Sequence, residues 1–227
     1  MIDRGTGVPM VFLHAGSGNA ALWQGQVEFF SGAGYRCIAY DRHGRAAAAD
    51  ELEALVSQLA LERFHLVGTA AGGIVAVDYA LSFPKRLRSL VIANSIFGIQ
   101  DKEYVALQKR LRPSPQFEAL PVEVRELGPS YRAANAQGTR QWARASRHTK
   151  PQPTRKTITY AALGSIRVPT LLLTGDGDLY MPPSLLREVA THMQGAAVVV
   201  VPECGHSAYW EQPEIFNNAV LEFARSR

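Results

Sequence analysis

Short, unbroken runs of apolar residues recur along the chain, and polar or amphipathic segments separate them. Six of these runs predict strands, at residues 10–13, 36–40, 65–67, 90–93, 170–174 and 197–201. Most of the runs are continuous rather than alternating, which is typical of strands that are buried on both faces of a parallel sheet.

Segments with helical spacing lie between these strands, at residues 20–31, 50–61, 72–82, 184–193 and 213–224. In the second of them, Leu52, Leu55, Val56 and Leu59 form an apolar stripe. The third runs into Phe83-Pro84, where proline prevents the helix from continuing. The alternation of strand and helix predicts an α/β protein with a mostly parallel, roughly six-stranded sheet flanked by helices.

This alternation stops at residues 95–166, which contain six prolines and no apolar run that predicts a strand. Helical pieces are expected there at 103–111 and 139–145. The pattern predicts two parts, a core of residues 1–94 and 167–227 and an inserted helical cap of residues 95–166. Such a cap would cover the carboxyl ends of the strands, where ligands bind in sheets of this kind.

Composition excludes several classes of protein. Of the 227 residues, 47% are hydrophobic and 19% are charged, which is ordinary for a globular chain and unlike a disordered one. No apolar run approaches the ~18 residues of a membrane span, and the first residues lack the apolar core of a signal peptide. The two cysteines form neither a disulfide framework nor a metal-ligand pattern. We expect a soluble, cytoplasmic protein that binds no metal.

Charge is unevenly distributed. The net charge is +4, yet residues 101–160 hold 12 Lys/Arg and only 5 Asp/Glu. Such a basic segment indicates either a solvated helical face or attraction of an anionic ligand. No nucleic-acid-binding motif accompanies it. We therefore expect a small-molecule substrate, no nucleic-acid or membrane partner, and a monomer or homodimer.

Three turns contain residues suited to chemistry. A glycine-rich turn at residues 14–18 follows the first predicted strand and can aim backbone N–H groups at an anion or an oxyanion. Small residues surround Ala70 at a sharp strand-to-helix turn. Asp178 and His206 follow consecutive strands, where an acid and an imidazole can form a dyad.

Together these turns resemble those of the α/β-hydrolase superfamily, over nearly all of residues 7–224. The resemblance implies an oxyanion loop at 13–16, a nucleophile elbow centred on Ala70, an acid at Asp178 and a catalytic histidine at His206. Gly16 and Ala71 would supply the oxyanion N–H groups. The implied activity is cofactor-independent hydrolysis of an ester, lactone or related bond in a small, fairly apolar carbonyl compound.

The elbow departs from the family pattern, because its centre should be serine. An alanine methyl cannot attack a carbonyl, and losing the nucleophile of a triad typically costs about 10⁶-fold in turnover. Four explanations of Ala70 stay open at this point. The first is an engineered Ser→Ala exchange, and the second is a natural enzyme in which His206 acts as a general base without serine. The third is that another hydroxyl or thiol has become the nucleophile, and the fourth is that the protein binds a ligand without catalysing a reaction. With His206 as a base, a lyase or isomerase reaction is also open.

Further candidates for substrate binding are polar or aromatic: Ser17, Asn94, Trp23, Tyr180 and Trp210. Aromatic side chains of this kind also serve as core. An alternative from another class comes from Gly16-Ser17-Gly18, which fits a dinucleotide-binding turn with Asp41 as the ribose-binding acid. That alternative leaves the dyad and the elbow without a role.

Overall fold

The computed structural model describes residues 1–43, 47–146 and 151–227. Within them the chain forms one seven-stranded sheet in the order β1-β3-β2-β4-β5-β6-β7. The strands are β1 (Ile2–Arg4), β2 (Val8–Leu13), β3 (Tyr35–Ala39), β4 (Phe64–Thr69), β5 (Leu87–Ala93), β6 (Thr170–Gly175) and β7 (Ala197–Val201). All neighbouring pairs are parallel except β1 and β3. The six predicted strands and the mostly parallel sheet are confirmed.

The seventh strand, β1, was not indicated by the apolar pattern. It pairs antiparallel with β3, and its three residues are largely exposed at the sheet edge. Its stability comes from backbone pairing and from Arg36, whose guanidinium donates to Asp3 at 2.7 and 3.0 Å. A three-residue edge strand of this kind has no hydrophobic signature that a sequence could show.

Helices cover both faces of the sheet, as the alternating pattern predicts. In chain order they are α1 (Gln24–Gly32), α2 (Ala48–Gln58), α3 (Ala71–Ser82), α4 (Lys102–Leu111), α5 (Val122–Glu126), α6 (Pro129–Ala134), α7 (Ala136–Ala145), α8 (Tyr160–Leu163), α9 (Pro183–Thr191), α10 (Ala208–Glu211) and α11 (Pro213–Arg225). Short 3₁₀ turns add Ala20–Trp23, Pro84–Arg86 and Phe117–Ala119. One hydrophobic cluster joins one face of the sheet to α2, α3 and α9, and a second joins the other face to α1 and α11.

Between β5 and β6 the described residues form helices α4 to α8 and no strand. Buried carboxylates attach this region to the rest of the chain. Asp78 of α3 accepts from the backbone N–H groups of Arg155 and Lys156 at 2.8 Å each. Glu211 accepts from Gly128 N at 2.7 Å. The division into a core and a cap at 95–166 stays a prediction, and residues 147–150 of that segment lie outside the described ranges.

Candidate active site

The elbow between β4 and α3 holds Ala70 in a conformation that L-residues rarely adopt. Its φ is 48° and its ψ is −116°, a conformation that costs about 1–3 kcal/mol and persists only where the surroundings impose it. Hydrogen bonds impose it here: Ala70 N donates to Ala93 O at 3.0 Å, and Ala70 O accepts from Ser95 Oγ at 2.6 Å. A Cβ on Gly68 would overlap the backbone of Gly72. The turn is therefore built tightly around a residue that carries no nucleophile.

The dyad expected from the sequence is present in the structure. Nδ1 of His206 lies 2.8 Å from both carboxylate oxygens of Asp178. Both residues are buried. Since Nδ1 donates to the carboxylate, Nε2 is left as the acceptor, and it has no hydrogen-bond partner among the described residues. Such an imidazole is oriented and free to take a proton.

Electrostatics strengthen the dyad. Burial by itself lowers the pKa of His206, but the Asp178 carboxylate and its hydrogen bond outweigh burial, and the pKa lies above its ordinary value. Burial by itself raises the pKa of Asp178, but the charge and hydrogen bond of His206, together with further donors, hold it well below its usual range. Asp178 therefore remains an anion, and His206 is a stronger base than a free imidazole.

The two oxyanion candidates, Gly16 and Ala71, lie close together. Ala71 is the first residue of α3, so its N–H has no partner within that helix. A Cβ added to Gly16 would lie 3.5 Å from the Cβ of Ala71. No hydrogen bond of either backbone N–H is found within the described residues. Gly16 and Ala71 are therefore neighbours in space, and both N–H groups are available to an acceptor such as an oxyanion.

A cavity of about 200 Å³ opens beside these donors, with Gly16, Ala71, Ile74, Arg42 and Gln152 among its lining residues. Arg42 is buried and is a charged group in its wall. Its guanidinium donates to His14 O at 2.9 Å and to Gln152 Oε1 at 3.1 Å, while its Nε has no partner in the described part of the chain. The cavity is thus mainly apolar with one cationic side.

Sequence reasoning missed Glu126, the last residue of α5. Its carboxylate accepts from Ser17 Oγ at 2.8 Å, and its backbone carbonyl accepts from His206 N at 2.7 Å. Burial raises the pKa of Glu126 despite the opposing charge of His206. No motif surrounds this residue in the sequence, and only folding brings α5 between the oxyanion loop and His206.

The substrate-binding candidates divide into two groups. Ser17 and Tyr180 lie at the site, since the ring of Tyr180 is centred 4.6 Å from that of His206. Asn94 is also there but is fully occupied by protein partners: its amide donates to Asp178 Oδ2 and to Gly205 O at 3.1 Å each and accepts from Ala208 N at 3.3 Å. Asn94 therefore orients the acid.

The other two candidates lie elsewhere. Trp23 is 1% exposed and packs in the core, with ring centroids 5.2 Å from Phe12 and 4.8 Å from Tyr209. Trp210 lines a separate, open cavity of about 470 Å³ beside α1 and α7. Apolar burial of an aromatic ring decides these positions, and the sequence does not distinguish that role from substrate contact.

Asp41 and His14 are both hydrogen-bonded within the protein. Asp41, the ribose-binding candidate of the dinucleotide alternative, accepts from Ala20 N at 2.8 Å. His14 contacts Ala15 O through Nδ1 at 2.7 Å and accepts from Arg42 N at 3.2 Å, so it holds the loop together. Burial lowers the pKa of His14 to about 4, which keeps it neutral.

No helix among the described residues has both the length and the apolar character needed to cross a bilayer. The same residues contain no group of three or more His, Cys, Asp or Glu side chains placed to hold a metal ion.

Known hydrolases are similar to this chain over nearly its whole length. A 2-hydroxy-6-oxononadienedioate/2-hydroxy-6-oxononatrienedioate hydrolase of Burkholderia vietnamiensis (strain G4 / LMG 22486) is 30% identical over 257 residues, covering 98% of this chain and 89% of the relative. A 2-hydroxy-6-oxo-6-phenylhexa-2,4-dienoate hydrolase of Burkholderia cepacia is 28% identical over 258 residues, covering 97% and 89%.

Solved structures share the fold. A thermophilic esterase from Thermogutta terrifontis superposes with a TM-score of 0.82 at 24% identity, covering 99% of this chain and 92% of the other. The enol-lactonase of Burkholderia xenovorans LB400 gives a TM-score of 0.79 at 19% identity, covering 98% and 94%. A model of the alpha/beta hydrolase family matches residues 10–219. The chain belongs to the α/β-hydrolase family, a family of hydrolytic enzymes.

Proposed function

We propose that the protein hydrolyses an ester, lactone or related bond of a small carbonyl compound, with His206 acting as general base on water. The observation that carries this proposal is the free Nε2 of His206, whose other ring nitrogen is held at 2.8 Å by Asp178. Ala70 stands at the elbow where a serine is expected, and the proposal places the attacking water in the room that the missing hydroxyl leaves.

A replacement nucleophile has little support from the surrounding residues. Cys204 is 2% exposed, and burial raises the pKa of its thiol far above the usual range, so the thiolate is not formed at neutral pH. Thr69 is 1% exposed, with its hydroxyl buried. The hydroxyl of Ser95 donates to Ala70 O. Burial of Cys204 and Thr69 and the hydrogen bond of Ser95 argue against these three groups as nucleophiles.

In the proposed reaction, the carbonyl oxygen of the substrate accepts from the backbone N–H groups of Gly16 and Ala71. His206 Nε2 removes a proton from water as the water oxygen attacks the carbonyl carbon. The resulting imidazolium is stabilised by the Asp178 carboxylate, and it returns the proton to the leaving group as the tetrahedral intermediate collapses. The oxyanion donors stabilise the charge that develops on oxygen.

The cavity beside Gly16 and Ala71, which His206 and Asp178 do not line, supports a small, mostly apolar substrate. Its volume of about 200 Å³ and its apolar lining suit a short carbonyl compound, and Arg42 offers a cationic group to an acidic one. The names of the two curated relatives denote hydrolases of oxo acids. We propose a small carbonyl compound that carries an acidic group as the first substrate class to examine.

The test is hydrolysis of p-nitrophenyl acetate and of small oxo-acid esters by the protein and three variants: His206→Ala, Ala70→Ser, and Ala70→Ser combined with His206→Ala. We expect slow turnover by the unchanged protein that is lost in His206→Ala. We expect Ala70→Ser to raise turnover at least about 10²-fold, since it restores a nucleophile to an intact dyad. The double variant should lose that gain.

Two outcomes would contradict the proposal. Turnover that His206→Ala leaves unchanged would remove His206 as the base. Absence of turnover in the unchanged protein, together with a large gain in Ala70→Ser, would identify a serine hydrolase that has lost its nucleophile.

A further inference from the structure

We propose that Glu126 is a proton donor of this site, and that Ser17 passes its proton to the carbonyl oxygen of the substrate. This inference rests on the water-dependent hydrolysis proposed above, and it adds a second acid–base group to that reaction. It assigns a chemical role to a carboxyl group that lies between Ser17 and His206.

Glu126 touches both sides of the candidate site. Its Oε2 accepts from Ser17 Oγ at 2.8 Å, and its backbone carbonyl accepts from His206 N at 2.7 Å. Ser17 is 7% exposed and directly follows Gly16, whose N–H is a candidate oxyanion donor. Ser17 is thus the neighbour in sequence of that donor, and the proposal places its hydroxyl within reach of the carbonyl oxygen.

The carboxyl groups of Asp178 and Glu126 both influence the imidazole of His206. Several hydrogen-bond donors stabilise the negative charge of Asp178, but Glu126 has only one. Asp178 accepts from Thr174 Oγ1 at 3.0 Å and from the backbone N–H groups of Tyr180 and Met181 at 2.8 and 2.9 Å, besides His206 and Asn94. The carboxylate of Glu126 accepts only from Ser17 and forms no ion pair within the described residues.

The charged neighbours of Glu126 agree with this asymmetry. They are His206 and Asp178 from the loops after β7 and β6, and Arg125 on its own helix. Arg125 donates to Glu118 at 2.8 Å and to Tyr180 Oη at 2.7 Å, so its guanidinium is bound elsewhere. Burial and the Asp178 charge raise the pKa of Glu126. Where two carboxyl groups have environments that separate their pKa values, one serves as anion and the other as acid.

Protonation of Glu126 reverses the contact with Ser17. The carboxyl then donates to Ser17 Oγ, and the Ser17 O–H is free to donate to the substrate. As water attacks the carbonyl carbon, a water proton moves to His206 Nε2 and the C=O electron pair moves to the carbonyl oxygen. The carbonyl oxygen takes the proton of Ser17, and Ser17 takes the proton of Glu126. On collapse the proton returns to Glu126 through Ser17, and His206 protonates the leaving group. Water is a weaker nucleophile than a serine alkoxide, so a protonated carbonyl oxygen matters more without serine.

The test compares p-nitrophenyl acetate hydrolysis across pH for the unchanged protein, Glu126→Gln, Ser17→Ala and Glu123→Gln. Glu123 is a glutamate of the same helix and provides the matched control. We expect Glu126→Gln and Ser17→Ala to lower the maximal rate at least about 10²-fold, the usual size of a general-acid contribution. We also expect Glu126→Gln to convert a bell-shaped profile into a single rising limb, and Glu123→Gln to keep both limbs.

Glu126→Gln combined with Ala70→Ser distinguishes a catalytic role of Glu126 from a structural one. There the serine attacks, Gly16 and Ala71 hold an anionic oxygen, and Glu126→Gln should change the rate less than about threefold. An equal loss in both backgrounds, or a Glu126→Gln profile that keeps both limbs, would overturn the assignment.

If no ester is hydrolysed, infrared spectroscopy can still test whether Glu126 is protonated. Lack of turnover in every variant would refute the hydrolase function for these substrates, yet a protonated-carboxyl band at pH 7 that disappears in Glu126→Gln would support the proton-holding role. If that band is absent from the unchanged protein, the inference is wrong whatever the turnover.

Discussion

Nδ1 of His206 lies 2.8 Å from both carboxylate oxygens of Asp178, across the carboxyl ends of two neighbouring strands. Asp178 follows β6 and His206 follows β7, so strand pairing brings together two residues that are 28 positions apart in the chain. This contact leaves Nε2 of the imidazole as the free basic atom.

Replacing Asp178 by asparagine should lower the pKa of His206, because the imidazolium loses its anionic partner while its burial remains. We expect turnover to fall by about 10⁴-fold, since the amide also favours the wrong tautomer. Titration of His206 by nuclear magnetic resonance measures the first effect. Asp176→Asn, two residues away on the same loop, is the control and should leave the pKa of His206 unchanged.

The pH dependence of stability should reveal the buried carboxyl of Glu126. Its native pKa is raised above the unfolded value of about 4.3, so the native state retains a proton that the unfolded chain releases. Stability of the unchanged protein therefore falls as pH rises from about 4.3 through the native pKa of Glu126. Glu126→Gln cannot ionise and escapes this loss.

We accordingly expect the Tm of Glu126→Gln, relative to that of the unchanged protein, to increase between pH 4 and pH 8. Scanning calorimetry at matched ionic strength measures it. A difference that stays constant over this range would contradict a raised pKa for Glu126.

Glu211 should be a structural carboxylate. It accepts from the backbone N–H groups of Gly205, Ser207 and Gly128, so it joins the residues on either side of His206 to the segment after α5. Glu211→Ala leaves these buried donors without partners, and we expect a loss of about 2–4 kcal/mol in the free energy of unfolding. Urea denaturation measures this loss. Glu214→Ala, at an exposed position of α11, should change stability by less than about 0.5 kcal/mol.

Two glycines at the second position of a helix offer a matched pair. A Cβ on Gly72 of α3 would overlap the backbone carbonyl of Leu13, whereas a Cβ on Gly25 of α1 meets nothing within 4 Å. We expect Gly72→Ala to destabilise the fold by at least about 2 kcal/mol, because neither backbone segment can move freely. Gly25→Ala should be neutral or stabilising by up to about 1 kcal/mol. Equal effects in denaturant titrations would refute the close approach of α3 to β2.

Local patterns in the sequence were enough to predict the sheet and much of the candidate site. Apolar runs such as 170–174 predict buried strands because a strand covered on both faces has no polar alternation. Asp178 and His206 were found because each directly follows such a strand, and the ends of neighbouring parallel strands meet at one edge. The strand β1 was missed, since its three largely exposed residues at the sheet edge pair with β3 residues 33 to 37 positions away.

Residue types and their order along the chain thus determined the α/β class, the elbow at Ala70 and the acid–histidine pair, because those features are local or depend only on strand ends. Tertiary structure alone decided which polar groups face one another over longer distances. It placed Glu126 against Ser17, 109 positions away, and placed Trp23 in the core. Packing of α5 across the strand ends brings Glu126 to Ser17, and no periodicity or spacing in the sequence encodes that packing.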